Sequence, residues 1–285
     1  MGPYGEMLPK PGALGDTARR LWQNGRMRHV LLAILCLTLA ACGAPRREVA
    51  QGTAPAAVRI IAPAFGDSDP HPDVGRLPQR YAVHGVDLSR WQSGVDWGRA
   101  RGAGVNFAFV KATEGGDVFD PLFPSHWTKS AAAGVRRGAY HLFYHCRSAA
   151  EQARWFIAHV PRDPGALPPV LDMEWARSPT CRTRPEPAKV RSEARVFLNA
   201  IARHYGKQPI LYTTPDYYAD NDLGRLSGVT FWLRSVAAPV RQSYPGQAWG
   251  FWQYTGTGQV PGIAGNVDLN VFAGSARDWA RFVAP

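Results

Sequence analysis

Two acids alternate with apolar residues in the hexapeptide Val170-Leu171-Asp172-Met173-Glu174-Trp175. Residues two apart on a β-strand point to the same face, so the carboxyl groups of Asp172 and Glu174 share one side and the apolar residues share the other. Residues 164–169, rich in proline and glycine, precede the hexapeptide and mark the entry to a strand. Two interpretations are open at this point: acids that pair with nearby arginines, and acids that share a chemical task.

Strand-like and helix-like segments alternate from Tyr81 onward. Eight strands are predicted, at Tyr81–Leu88, Phe107–Thr113, Gly138–Tyr144, Pro169–Trp175, Pro209–Thr214, Phe231–Val236, Gly250–Tyr254 and Val267–Phe272. Helices are predicted at Asp96–Ala103, Pro124–Ala133, Ala149–His159, Pro187–Tyr205 and Ser275–Val283. A strand followed by a helix, repeated along the chain, is typical of a parallel α/β barrel.

The final strands follow one another too closely for a regular barrel. Between Phe231 and Phe272 the connections are shorter than the dozen or so residues that a parallel crossover needs. The sequence therefore predicts a single (β/α) barrel of the TIM-like type, incomplete or flattened, whose last strands are partly antiparallel.

The first residues have the composition of an export signal rather than of a folded domain. Residues 1–26 are aperiodic and rich in glycine and proline, and they are interpreted as a non-structural extension. Whether Met1 or Met27 is the true start stays open. Residues 27–42 combine a basic start with an apolar run that is too short to span a membrane, which predicts a signal peptide.

The apolar run ends in Leu39-Ala40-Ala41-Cys42-Gly43, which resembles the lipobox of bacterial lipoproteins. The resemblance implies that Cys42 is lipidated; an ordinary secretory signal with a chance cysteine is the alternative. Residues 43–80 are polar and rich in proline, so a disordered tether is predicted there and a folded domain over residues 81–285.

Charge and composition restrict the partners of this domain. The formal net charge of the chain is +11, and residues 81–285 carry 23 lysines and arginines against 16 acids. A basic domain is attracted to polyanions such as anionic lipid or acidic wall polymers. No clustered basic motif of the nucleic-acid-binding kind occurs, so nucleic acid is not expected. The ten tryptophans, ten tyrosines and twelve phenylalanines either fill a large core or line a groove for sugar rings.

Active sites of such barrels gather at the carboxyl ends of the strands. The predicted ends carry four acids: Asp87, Asp172, Glu174 and Asp268. They also carry Lys111, Glu114, Tyr140, His141, Tyr212, Trp232, Arg234, Trp252 and Gln253. Several acids and aromatic side chains at one end of a barrel favour a sugar-cleaving cleft, although any single member could be a solvated surface residue.

Two cysteines remain after the signal is set aside. Cys146 follows the third predicted strand and Cys181 follows the fourth, and exported proteins favour disulfides. Loops after adjacent strands can bring two cysteines within the Cα reach of ~4.4–6.8 Å, so a disulfide is predicted, with two free thiols as the alternative. His141 and His145 lack a convincing ligand spacing, and neither a metal nor a cofactor is expected.

Four motifs carry a resemblance to a known family. They are Asp87-Leu88-Ser89-Arg90-Trp91-Gln92, Asp172-Met173-Glu174, Trp252-Gln253-Tyr254 and Val267-Asp268-Leu269-Asn270. With these in order, residues 81–284 resemble the family 25 glycoside hydrolases, the Chalaropsis-type lysozymes. The resemblance implies a flattened (β/α) barrel that cleaves the β-1,4 bond between N-acetylmuramic acid and N-acetylglucosamine in peptidoglycan.

The resemblance also implies roles for the strand-end residues. Glu174 is expected to be the general acid, and Asp172 is expected to orient the N-acetyl group of the substrate, a route that retains configuration. Asp87 and Asp268 would position the sugar or raise the pKa of the acid. Substrate contacts are expected from Tyr140, Tyr212, Trp232, Trp252 and Gln253, with packing inside the barrel as the alternative for each of the four aromatic residues. Arg234 departs from the family pattern, in which a small residue is expected at this position, and it either binds a carboxylate of the muramyl lactate or stem peptide or pairs with an acid.

The leading hypothesis is an exported muramidase, monomeric, anchored through Cys42 to a membrane and acting on peptidoglycan glycan strands. Gly43 after that cysteine is compatible with the outer membrane, facing the periplasm, in a Gram-negative source. Two alternatives remain: a non-catalytic lipoprotein that tethers membrane to wall, and a hydrolase of a related N-acetylated glycan such as chitin.

Overall fold

The structure is a computed structural model that describes residues 58–175 and 180–284. The predictions for the extension (1–26), for the signal peptide with Cys42 (27–42) and for residues 43–57 of the tether lie outside these residues. Among the described residues, no helix has the length and apolar character needed to cross a membrane.

Strands and helices alternate along most of the described chain. The strands are β1 (Gly66–Asp67), β2 (His84–Leu88), β3 (Phe107–Glu114), β4 (Val118–Phe119), β5 (Arg136–Leu142), β6 (Val170–Met173), β7 (Ile210–Thr213), β8 (Thr230–Arg234), β9 (Phe251–Gln259) and β10 (Val267–Phe272). The α-helices are α1 (Trp97–Gly102), α2 (Phe123–Ala132), α3 (Ala149–His159), α4 (Pro187–Tyr205), α5 (Pro215–Asp220), α6 (Val240–Ser243) and α7 (Ala276–Phe282). Short 3-10 helices lie at Pro78–Arg80 and Leu223–Arg225.

Eight of these strands form a closed barrel in the order β2, β3, β5, β6, β7, β8, β9, β10. Neighbours from β2 through to β9 run parallel, whereas β10 is antiparallel to both β9 and β2. The predicted (β/α) barrel with crowded, partly antiparallel last strands is therefore confirmed. The ring of strands itself closes. The incompleteness lies in the helical layer, since only the four-residue α6 separates β8 from β9 and β10 follows β9 without a helix.

Alternate residues of each barrel strand face two different cores, as the pleat of a strand requires. The inner core contains Phe107, Phe109, Val170, Ile210, Trp232 and Phe251, together with Trp279 and Val283. The outer core, between strands and helices, contains their sequence neighbours Ala108, Leu171, Leu211, Leu233 and Trp252. Phe107 and Phe251 each begin a strand. The segment 276–283 therefore closes the barrel at the amino ends of the parallel strands.

The folded part of the chain begins before Tyr81, and the predicted tether boundary is wrong for residues 58–80. The backbone N–H of Ile61 donates to Oδ1 of Asn106, and Nδ2 of Asn106 donates back to the carbonyl of Ile61, both at 2.9 Å. Strand β1 pairs with β9 in antiparallel fashion. The prolines disfavour a long α-helix here, but they do not exclude an extended segment that packs along the edge of a sheet.

Replacing Asn106 should show that this segment belongs to the fold. The amide of Asn106 also donates to the carbonyl of Gly104 at 2.9 Å, so Asn106→Ala leaves several buried polar groups without partners. We expect the free energy of unfolding to fall by about 2–3 kcal/mol in urea titrations. The exposed Asn266→Ala should cost less than about 0.5 kcal/mol. Equal stability of the two variants would contradict an ordered residue 58–64 segment.

Candidate active site

The structure brings four carboxyl groups to one end of the barrel, the carboxyl end of the parallel strands, which we call the rim. Asp87 lies in β2 and Asp172 in β6, while Glu174 is the first residue after β6 is complete. Asp268 is the second residue of the antiparallel β10 and pairs with Asp87 of β2 in the register. The predicted strand around Glu174 is shorter than expected, so this acid sits on the loop rather than in the sheet.

Asp87 is held by two side-chain amides from neighbouring strands. Its Oδ1 accepts hydrogen bonds from Nε2 of Gln253 at 2.9 Å and from Nδ2 of Asn270 at 2.7 Å. Each amide oxygen is in turn occupied: the hydroxyl of Tyr212 donates to Gln253 at 2.9 Å, and the indole N–H of Trp232 donates to Asn270 at 2.7 Å. These donors fix which end of each amide faces Asp87.

Burial raises the pKa of all four acids. For Asp87, burial is the largest cause and the charge of Asp268 adds to it, while the two amides oppose the shift. For Asp172, burial is again the largest cause and Glu174 adds to it. Burial raises the pKa of Glu174 and raises that of Asp268 to about 6. Four mutually repelling carboxylates in one poorly hydrated place favour the retention of protons.

Two cations counterbalance the acids. Arg234, at the end of β8, lowers the pKa of Glu174 and of Asp268. Lys111, in β3, lowers the pKa of Asp172 and of Glu174. The ammonium group of Lys111 forms a salt bridge with Glu114, which holds the lysine at the rim. The site therefore combines carboxyl groups that favour protonation with cations that favour ionisation.

Asp172 has one oxygen that no described residue satisfies. Its Oδ1 is buried and has no hydrogen-bond partner among residues 58–175 and 180–284. A buried carboxylate oxygen without a donor is costly, and a donor on a bound molecule would remove that cost. This oxygen is therefore suited to receive an N–H or O–H group from a ligand.

An open cavity of about 850 Å³ adjoins these acids and is called the cleft below. It is lined by Leu142, Phe143, Tyr144, His145, Glu174, Trp175, Cys181, Arg182, Thr183, Arg184, Thr214, Asp216 and Arg234. This volume is in the range of binding sites for small organic molecules or short oligomers. Glu174 is the acid of the predicted set that lines it, and Asp172 lies deeper in the barrel.

The predicted disulfide is confirmed and forms part of the cleft wall. Cys146 and Cys181 are bonded, with their Cα atoms 5.6 Å apart. The guanidinium of Arg184 lies 4.4 Å from the ring of Trp175, whose indole N–H donates to Asp220 at 2.8 Å. The bond and these contacts fix the wall beside Glu174.

The predicted aromatic contacts divide into three cases. Tyr140 is partly exposed and packs against the inner core; burial raises its pKa, and the charges of Asp87 and Asp172 add to that shift. Tyr212 and Trp232 are buried and support the network that holds Asp87. The prediction for Trp252 is wrong: the side chain is 1% exposed in the outer core, and its indole donates to the carbonyl of Ser235 at 2.8 Å. Gln253, the next residue of β9, points into the barrel instead and donates to Asp87.

Two residues of the site were missed in the sequence. Asn270 lies two residues after Asp268 on one strand, so the alternation rule that paired Asp172 with Glu174 would have found it. Asp216 lies at the start of α5, where no periodic signal marks it. Among the described residues, no group of three histidines, cysteines or acids is arranged to hold a metal ion. His141 is buried and contacts Gln152 and Thr113.

Comparison with known proteins gives a consistent result. A family model described as Glycosyl hydrolases family 25 matches residues 86–263. The uncharacterized protein YegX of Escherichia coli K12 is 38% identical over 213 residues, which cover 73% of this chain and 76% of that protein. Lysozyme M1 of Streptomyces globisporus is 34% identical over 213 residues, 71% of this chain and 70% of its own. A bacterial lysozyme from Streptomyces coelicolor, of known crystal structure, is 33% identical with a TM-score of 0.64, over 70% of this chain and 96% of that one.

A barrel whose rim carries several buried acids beside an open cleft, and which is similar to lysozymes in sequence and in structure, is a glycoside hydrolase. The chain belongs to the glycosyl hydrolases family 25.

The raised pKa of Asp268 predicts a pH-dependent stability. Its folded value of about 6 lies above the value of ~3.9 for an unfolded aspartate. The stability associated with this group is thus complete below pH 4 and is lost as the pH rises through 6. Asp268→Asn should gain about 1–2 kcal/mol relative to the wild type between pH 4 and pH 7.5, measured by urea unfolding. If the difference in the free energy of unfolding between wild type and Asp268→Asn stayed constant with pH, the raised pKa of Asp268 would be contradicted.

Proposed function

We propose that the protein is a peptidoglycan muramidase that hydrolyses the β-1,4 bond between N-acetylmuramic acid and N-acetylglucosamine. The observation that carries this proposal is the pair formed by Asp172, with its unsatisfied buried oxygen, and Glu174, which lines the cleft. Membership of family 25 and the lysozyme names of relatives support the substrate class.

Glu174 is the proton donor in this proposal. Burial raises its pKa, so a proton is retained nearer to neutral pH than on an ordinary glutamate. It lines the cleft, where a glycosidic oxygen can reach it, whereas Asp172 is only 7% exposed and lies further inside. Glu174 gives its proton to the leaving oxygen of the sugar as the bond to the anomeric carbon breaks.

Asp172 assists the acetamido group of the muramic acid residue. Its free Oδ1 accepts the acetamido N–H, which turns the acetamido carbonyl oxygen towards the anomeric carbon. That oxygen bonds to the carbon as the leaving group departs. Water then opens the cyclic intermediate and gives its proton to the Glu174 carboxylate, so that configuration is retained. The ammonium group of Lys111 favours the ionised form of Asp172 that this step needs.

The remaining predicted residues support these two. Asp87, held by Gln253 and Asn270, gives a fixed negative charge or hydrogen-bond acceptor beneath the sugar. Tyr140, partly exposed among the acids, offers a ring or a hydroxyl to the same sugar. Arg234 lines the cleft next to Glu174 and is placed to bind a carboxylate of the muramic acid lactyl group or of its peptide.

Peptidoglycan is outside the cytoplasmic membrane, so we propose that residues 27–42 direct export and that Cys42 carries a lipid anchor. The lipobox-like sequence and Gly43 support attachment to an outer membrane facing the periplasm. The protein is proposed to act as a monomer.

Replacing the proton donor should abolish hydrolysis without unfolding the barrel. Glu174→Gln is expected to lower kcat/KM on purified sacculi by about 10²–10⁴, because the leaving oxygen loses its acid. Release of reducing ends measures the rate. Glu151→Gln, which changes an acid on α3 outside the cleft, is the matched control and should be fully active. A Glu174→Gln protein as active as that control would remove Glu174 from the mechanism, and sedimentation of the wild type with sacculi without turnover would favour a binding protein.

The products should identify both the bond and the route. Mass spectrometry of the soluble fragments is expected to find N-acetylmuramic acid at the new reducing ends, initially in the β configuration by NMR. Asp172→Asn should lower kcat on glycan by about 10²-fold or more, because its amide can no longer accept the N–H in the same way as an anion. New ends on N-acetylglucosamine would reject the proposed bond, and an initial α product would reject the retaining route.

A further inference from the structure

Basic side chains gather at the amino ends of the parallel strands, on the opposite side of the barrel from the rim. One cavity there, of about 390 Å³, is lined by residues that include Arg59, Arg101, Arg136 and Arg137. A second, of about 360 Å³, is lined by residues that include Arg162, Arg203, His204 and Lys207. The turn at residues 163–166 contributes lining residues to both cavities, which are together called the basic end below.

The charge of the basic end is poorly neutralised by the protein itself. Asp163 is the one acid among the described residues that line either cavity, and it pairs with Arg137. Two further cations there donate to backbone carbonyls. Arg136 donates to the carbonyl of Gly165 at 3.2 Å, and Lys207 to that of Pro164 at 2.9 Å. Backbone carbonyls hold these groups in place, and the single charge of Asp163, which acts on both Arg137 and Lys207, neutralises only part of the positive charge.

Two of the arginines are close enough to repel each other. Arg101 donates to Asn106 and to the backbone carbonyl of Arg59, and the positive charge of Arg59 adds to burial in lowering the pKa of Arg101. Like charges placed together cost free energy, and a bound polyanion offsets that cost. Planar guanidinium groups are particularly suited to phosphate oxygens.

The direction of the chain indicates which polyanion is nearest. Val58 and Ile60 pack against the inner core, and Arg59 between them lines the basic end, so the described chain starts on this side. The proposed lipid site at Cys42 is 16 residues before Val58. Such a segment can span at most about 50–58 Å. The cleft opens at the other end of the barrel, where a glycan must enter.

We propose that the basic end is a docking surface for anionic phospholipid headgroups, on which the barrel stands with its cleft directed away from the membrane. The phosphates of a lipid surface supply the anions that the protein lacks there, and several basic residues act together on one plane. Free wall polymers would have no reason to prefer the end that is remote from the cleft. This surface goes beyond the proposed hydrolysis, and the choice of a membrane as its partner rests on the proposed lipid anchor at Cys42.

Vesicle binding tests the proposal directly. The probe protein is the chain from Gly43, which keeps every described residue and lacks the lipid. We expect it to sediment with vesicles that contain phosphatidylglycerol and not with vesicles of phosphatidylcholine alone. Added salt should release the bound protein, because salt screens the attraction between the charges. Binding to both kinds of vesicle alike would overturn an electrostatic docking surface.

Matched charge variants decide whether the basic end is responsible. Arg59→Gln/Arg162→Gln/Arg203→Gln removes three exposed cations of this surface and should lower the partition coefficient about tenfold or more. Arg99→Gln/Arg154→Gln/Arg225→Gln removes three exposed arginines that line neither cavity and should lower it much less. Circular dichroism and urea unfolding report the folding of both variants.

Two further outcomes would overturn the assignment. Equal loss in the two triple variants would mean that net charge alone governs binding. If the unchanged probe protein ignored anionic vesicles, and only the basic-end variant lost affinity for sacculi, the partner would be a wall polymer instead of a membrane.

Discussion

Two hydrogen bonds to a single oxygen, Oδ1 of Asp87, join the three strands that close the barrel. The donors come from β9 and β10, and the acceptor comes from β2. Each donor amide is itself held by an aromatic residue of another strand, Tyr212 or Trp232. The aromatic side chains inside the barrel therefore help to orient the carboxyl group of Asp87. A change in the packing of Tyr212 or Trp232 would change the hydrogen bonds that Asp87 accepts.

Burial of the acids at the rim also costs folding free energy. Asp87, Asp172 and Glu174 all lie where ionisation is disfavoured, and few donors are available to compensate them. A barrel selected only for stability would place apolar residues or paired ions at these positions. The cost is reduced by Lys111 and Arg234, which are arranged around the acids without forming a salt bridge to Asp172 or Glu174 among the described residues. The buried acids thus lower the stability of the fold while they supply the groups that the reaction needs.

Most of the fold and much of the site could be predicted from the sequence, because strand periodicity and strand ends are local properties. Periodicity correctly divided the chain into barrel strands, and the position of Cys146 and Cys181 after neighbouring strands correctly indicated their bond. Trp252 was assigned to the wrong face because the alternation of side chains along the strand was not applied at the strand end. The side chain that points into the barrel is that of Gln253. The order of residues 58–80 depends on contacts between residues 45 and 190 positions apart, such as Ile61 with Asn106 and Asp67 with Thr257, which composition does not encode.

The segment that closes the floor of the barrel has a consequence for the order of folding. Trp279, fully buried among Phe107, Phe251 and Phe272, belongs to a helix that follows β10, and β10 is the strand that joins β9 to β2. Until residues 267–283 have left the ribosome, the sheet has two unpaired edge strands, and its aromatic interior is not covered by Trp279. A nascent chain that lacks these residues is therefore unable to complete its aromatic core, so the barrel closes only when its last strand and last helix are available.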